Sequence, residues 1–143
     1  MIAKEYLEQL KIYNQAVQVK AGEVEEYKTL ATRVTQAWDG LPPDKNARGS
    51  NLEWWYAKLV DERKELDYLV GRFCTFREEV LSLLAKLDDP THSALLNLRY
   101  VQFKSWQDVA HEMGFSHQHI YRLSRDAHKE VEIKLQKMKD ESK

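Results

Sequence analysis

The chain is poor in residues that break helices and in residues that cross-link or anchor a protein. Five glycines and three prolines among 143 residues leave little of the turn chemistry an all-β fold needs. A single cysteine, Cys74, cannot form an internal disulfide and fits a reducing compartment. It is expected as a buried, inert thiol on an apolar helix face. Apolar runs last only a few residues, so none is expected to span a membrane. Met1 to Leu10 has no apolar core of the kind a signal peptide carries. Neither sign of charge dominates, with a net charge of −1, so composition alone does not announce a nucleic-acid partner. Also missing are a glycine-rich phosphate loop, a nucleophile elbow and an HExxH pair. The chain is therefore expected not to be an enzyme and to need no cofactor.

What is present is helical periodicity. A content of 43% hydrophobic and 31% charged residues suits a helix-rich protein. Tyr6, Leu10, Tyr13, Val17, Lys20, Val24, Tyr27, Ala31, Val34 and Trp38 recur in steps of four and three. That is a coiled-coil seam along a helix of about 50 Å, with Gly22 a tolerated soft spot. "DGLPPDKNARGSN" (Asp39 to Asn51) reads as a loop, with Asn51 capping the next helix and Trp54 in its first turn. A second seam follows: Leu52, Trp55, Leu59, Glu62, Leu66, Leu69, Phe73, Phe76, Val80, Leu83 and Leu87.

Two such helices should fold back antiparallel. Matching distance from the loop puts Trp38 near Leu52, and Tyr6 near Phe76 or Val80. Lys20 and Glu62 are not opposite each other in that pairing. They either fix register or oligomeric state, or sit at the seam edge and reach out to water. A lone hairpin buries only part of its stripe, so the seam is expected to pack on the C-terminal part or on a second copy.

The C-terminal part has a different grammar. Asp89 can cap a helix that has Pro90 at its first position. Leu95, Leu96, Leu98 and Val101 supply packing between His92 and Gln102, and Phe103 to Ser105 form a link. Ser105 caps a helix from Trp106 to Met113, Gly114 suits the left-handed residue after it, and Ser116 caps a helix running from His117 to at least Glu130. Ala110, Gly114 and Ile120 are the fifth, ninth and fifteenth residues counted from Trp106. Those places need a small residue at a helix crossing, a turn glycine and an apolar lock. Val109, Met113, Phe115 and Leu123 take the other core-facing places, and Trp106 is expected in the core. His117, Gln118, Tyr121, Arg122 and Arg125 face outward. Such a helix-turn-helix presents a polar helix that can enter the major groove. The charged tail from Lys134 to Lys143 is expected to fray.

All five histidines, His92, His111, His117, His119 and His128, fall in this C-terminal part. Residues 90–143 carry nine Lys/Arg against seven Asp/Glu, whereas residues 1–89 carry thirteen against sixteen. The histidines do not form a metal site by spacing: His117 and His119 lie on different helix faces, and no cysteine supports them. If they face phosphate, DNA affinity should strengthen as pH falls through about 6.5.

The stretch from Leu95 to Val131, "LLNLRYVQFKSWQDVAHEMGFSHQHIYRLSRDAHKEV", resembles region four of housekeeping-class bacterial sigma factors. "LRY" (Leu98 to Tyr100), "SWQDVAHEMG" and the serine opening "SHQHIYRL" carry the likeness. With "AKEYL" (Ala3 to Leu7) and "KLDDP" (Lys86 to Pro90), nearly the whole chain also resembles a family of small phage-encoded proteins of this type. The resemblance implies an all-α chain: a long antiparallel helical hairpin over 1–88, with a loop at 39–51, then a three- to four-helix sigma-region-four-like domain over 89–143. It implies a phage or prophage transcriptional regulator in the bacterial cytoplasm, with helix 117–130 reading double-stranded DNA. Base-edge readers would be His117, Gln118 and Arg122. Phosphate contacts would be Ser116, His119, Tyr121, Arg125 and Lys104. The arginine-rich first turn of the sigma pattern is replaced here by His-Gln-His, which puts the usual −35 element in doubt as the target.

Arg122 can grip guanine bidentately, or can simply pair with Asp126 one turn on. Gln118 can bond adenine, or can be a solvated first-turn residue. Lys104 and Arg99 can touch phosphate or solvate the surface. The hairpin would mediate homodimer formation or contact with RNA polymerase. Two further readings are a phage DNA-packaging small subunit and a coiled-coil adaptor that binds protein rather than DNA.

Overall fold

The structure, a computed structural model, describes the backbone of residues 2–38 and 45–142 and the side chains of residues 2–34 and 52–142. The fold is all-α. Among the described residues are α1 (Ile2–Trp38), α2 (Lys45–Ala85), α3 (Pro90–Leu96), α4 (Trp106–Met113) and α5 (His117–Glu141), with a π-helical turn over Asn97–Val101. No helix among them is long and apolar enough to cross a membrane.

Contacts divide the chain into two compact units, with bounds other than 1–88 and 89–143. One comprises Met1–Tyr13 with Phe73–Lys143, and the other is Asn14–Arg72. In the first unit, Ala3, Leu7 and Leu10 of α1 join Val80, Leu83 and Leu84 of α2, and Leu87 just beyond it, in one core. Leu95, Leu96, Tyr100, Val101, Val109, Ala110, Ile120, Ala127 and Val131 complete it. Ala3 and Leu7 lie outside the predicted seam because they face a different partner, the C-terminal helices. Tyr6 packs edge-on against Phe76 at 5.2 Å between ring centres, as expected, and donates its hydroxyl to Glu79 at 2.9 Å. Burial, reinforced by that carboxylate, pushes the Tyr6 phenol well above its ordinary value.

The caps follow the sequence. Asp89 accepts from the Thr91 N–H with Pro90 at the first position of α3. The helix after it differs from a plain α-helix over His92 to Gln102: its last turn widens, and Gln102 N–H reaches the Asn97 carbonyl at 3.0 Å. The chain leaves that turn through Phe103 at φ 60°. A bulky residue there is uncommon and costs on the order of 1–3 kcal/mol. Its half-buried ring, packed on the core, offsets that strain. The segment from Lys134 to Glu141, expected to fray, is helical. α5 continues to Glu141, with Leu135 and Met138 packed against the core.

In the Asn14–Arg72 unit the two helices run antiparallel: Lys20 meets Glu62, and Tyr27 meets Trp55 seven residues back. Every described seam residue in this unit is buried or half-buried. Lys20 and Glu62, expected not to be opposite, face each other, Nζ to Oε2 at 2.7 Å. The Tyr6–Phe76 pairing already implies this, because positions 20 and 62 lie in the same antiparallel register as positions 6 and 76. α2 begins at Lys45, so Asn51 lies inside the helix and cannot cap it. Residues 39–44, and the side chains of Trp38 and Asn51, lie outside the described residues. Trp54, far from the first turn, is 54% exposed. Glu23 and Glu65 also reach Lys20, at 2.9 and 2.8 Å, and Lys58 reaches Glu62 at 3.4 Å. The ammonium of Lys20 holds the Glu62 carboxyl below its ordinary value although burial opposes this. Cys74 is exposed, not buried, because it falls one step round from the seam residue Phe73.

Candidate nucleic-acid interface

The candidate site begins with two serines and a glycine. Ser105 accepts from the Asp108 N–H at 3.1 Å and opens α4. Gly114, at φ 71°, ends it in a left-handed turn where a Cβ would be strained. There the N–H groups of Gly114 and Phe115 donate to the carbonyls of His111 and Ala110, at 3.3 and 3.0 Å. That pair of bonds is the Schellman closure, and it turns the chain within three residues. Ser116 then accepts from the His119 N–H at 3.2 Å and opens α5. Val109, Ala110 and Ile120 lock the two helices together at 4% exposure or less. The small residue, the turn glycine and the apolar lock thus stand where the spacing predicted them.

Phe115 departs from its predicted core place. It is 37% exposed and packs edge-on against the His119 ring, at 4.6 Å between centres. The Schellman turn leaves it at the rim, where an imidazole is the available neighbour. Trp106 is half-buried and packs against the core. The Arg99 guanidinium lies over its ring at 5.0 Å and donates to the Lys104 carbonyl at 2.9 Å.

Ser116, His117, Gln118, His119, Tyr121, Arg122 and Arg125 are all exposed on the first turns of α5. His117, Gln118, Tyr121 and Arg122 line one shallow concavity. Arg122 makes no ion pair with Asp126 among the described residues. His119 lies apart from this group, on the side occupied by Phe115. Lys104 sits before α4, half-buried and paired with Glu112. The Arg125 guanidinium lies over the Tyr121 ring at 5.7 Å.

Beside this face runs a groove of about 580 Å³, lined by Lys4, Arg99, Trp106, His117, Tyr121 and Arg125 among others. Lys4, from the first turn of α1, was missed by reasoning from sequence, and only its proximity in the fold recruits it. At the floor of the groove His128 is half-buried. Its Nδ1–H donates to the Ser124 carbonyl at 2.6 Å, so Nε2 accepts from the Tyr100 hydroxyl at 2.7 Å. Burial lowers the His128 pKa, an effect only partly offset by the carbonyl. Burial, with the charge of Glu8, pushes the Tyr100 phenol up to about 12 against the pull of Arg99. His92 is structural: its Nδ1 meets Glu130 at 2.9 Å. Among the described residues, no group of three or more His, Cys, Asp or Glu side chains could hold a metal ion.

Chemically, the face offers a flat guanidinium, an amide, imidazoles and a phenol on a helix N-terminus whose dipole favours anions. From His117 to Arg125 it carries no carboxylate. A family model described as "Protein of unknown function (DUF1492)" matches residues 50–132, more than half of the chain. The chain belongs to this family. No curated protein and no solved structure matches it. The DUF1492 match takes in α3, α4 and most of α5, and so every α5 side chain of this face, but not Lys4.

Proposed function

We propose that this DUF1492 protein is a sequence-specific, double-stranded-DNA-binding transcriptional regulator of phage or prophage type, acting in the bacterial cytoplasm. Its sigma-region-four-like helix-turn-helix docks α5 in the major groove. Arg122, Gln118 and His117 read base edges. Tyr121, Arg125 and the Ser116 end of α5 meet phosphates. His119 and Lys104 are assigned to the flanking backbone. RNA polymerase is the protein partner this reading implies. The observation that carries it is the acid-free, exposed face of α5 from His117 to Arg125 in a chain of net charge −1. Positive and hydrogen-bonding groups are concentrated where a groove-reading helix needs them.

Selection of bound duplexes from a random pool tests this. A single enriched motif is the expected result. Arg122→Ala should then cost about 1–3 kcal/mol and relax one position of the motif. Arg125→Ala should weaken all sequences alike and flatten the salt dependence. Enrichment of no sequence, with no duplex bound at low salt, would sink this reading in favour of a protein-binding adaptor.

A further inference from the structure

In the Asn14–Arg72 unit, the face of α2 that meets α1 is already used. One residue further on from Trp55, Leu59, Glu62, Leu66 and Leu69 lies a second stripe: Tyr56, Val60, Arg63, Asp67 and Val70. One step is about 100° round the helix, so this stripe points away from the α1 seam. Its spacing of four, three, four and three is again that of a coiled-coil seam. Its apolar members are open to water, with Tyr56 and Val60 each 49% and Val70 38% exposed. Arg63 and Asp67 are exposed too, and neither makes an ion pair among the described residues.

We infer that this stripe is a self-association surface on which a second copy of the chain docks, with the two α2 helices antiparallel about a two-fold axis that crosses the stripe at the level of residue 65. The argument is self-complementarity. Positions 60 and 70 share a midpoint with positions 63 and 67, and that midpoint is residue 65. One antiparallel register therefore sets Val60 on the partner's Val70 and Arg63 on the partner's Asp67, each twice by symmetry. A parallel pairing would set Arg63 on the partner's Arg63 and Asp67 on the partner's Asp67, so charge selects the antiparallel arrangement. The surface is modest, which makes the complex a weak one.

Sedimentation equilibrium of the full chain at about 100 μM reads this directly. The wild type sediments as a dimer. Asp67→Arg faces two arginines with two more and weakens association by about tenfold or more. Adding Arg63→Asp to it restores the opposite charges, and the dimer returns. On a Cys74→Ser background, Val60→Cys with Val70→Cys cross-links under oxidation, whereas neither cysteine alone does. A monomeric wild type, a charge reversal without effect, a double swap that fails to restore the dimer, or cross-linking by one cysteine alone would each overturn the inference. These substitutions are on exposed positions, so helical circular dichroism should stay unchanged. None of the readouts involves DNA, so they are independent of the proposed function.

Discussion

The two units spell their helices with the same three-and-four spacing, yet they bury it to different depths. In Met1–Tyr13 with Phe73–Lys143, sixteen hydrophobic residues form one buried cluster. In Asn14–Arg72, the buried described residues are Val24, Ala31, Leu59 and the charged Glu62. The difference is one of layers. A helix pair has a single interface, so each seam residue is covered from one side only. In the first unit, α3, α4 and α5 cover α1 and α2 from further sides. A heptad pattern thus names which face turns inward, but the number of helices around it decides how dry that face becomes.

Truncating a buried leucine in each unit should have the largest effect. Leu7 is fully buried in the multi-helix core, and Leu7→Ala should cost about 2–5 kcal/mol through the cavity it leaves. Leu59, 6% exposed in the helix pair, should cost less, near the lower end of that range. Urea unfolding followed by amide exchange in each unit measures both. Equal losses would show that the pair is packed as tightly as the multi-helix core, and the comparison would fail.

The legible and illegible parts divide along the same line. The seams, the Asp89, Ser105 and Ser116 caps and the left-handed Gly114 depend on neighbours within a turn or two, so the sequence spells them locally. The Lys20–Glu62 pair does not, since it joins two helices across a long stretch of chain. It follows from the Tyr6–Phe76 pairing, but counting from Trp38 and Leu52 at the loop end hid it. The start of α2 at Lys45 rather than after Asn51 was not legible either. On the candidate interface, the outward facing of His117, Gln118, Tyr121, Arg122 and Arg125 was legible from their spacing. Lys4 and the Tyr100–His128 bond were not, since they join segments distant along the chain. Phe115 misled because its hydrophobicity suggested burial, whereas its place just after the turn glycine puts it at the rim.

The folded pKa of Glu62 is depressed, chiefly by the Lys20 hydrogen bond. The stability it contributes is therefore present above the unfolded carboxylate value, about 4.3, and is lost as pH falls through the lower folded value. The Asn14–Arg72 unit should loosen below about pH 4, with faster amide exchange around Lys20 and Glu62 than at pH 7. Glu62→Gln should remove that acid-dependent step and leave the unit weaker at neutral pH. An acid profile unchanged by the substitution would mean that other carboxylates, not this ion cluster, hold the pair.

The smallest expected effect belongs to the other unit and begins at a higher pH. His128 is a base whose folded pKa is lowered by burial, so the folded unit prefers it neutral. Below its unfolded value, about 6.5, the unfolded chain binds the proton more readily, and stability falls with pH until the folded value is reached. Protonation also removes the Nε2 acceptor that the Tyr100 hydroxyl uses, leaving two donors facing each other. Thermal unfolding measured from pH 7 to 5 should show a mild decline in this unit, while the Asn14–Arg72 unit stays flat over the same range. His128→Gln keeps a side-chain hydrogen-bonding group near Tyr100 but does not titrate, so it should abolish the decline. If the decline survives His128→Gln, its source is elsewhere, and the two units do not differ in the way their buried charges predict.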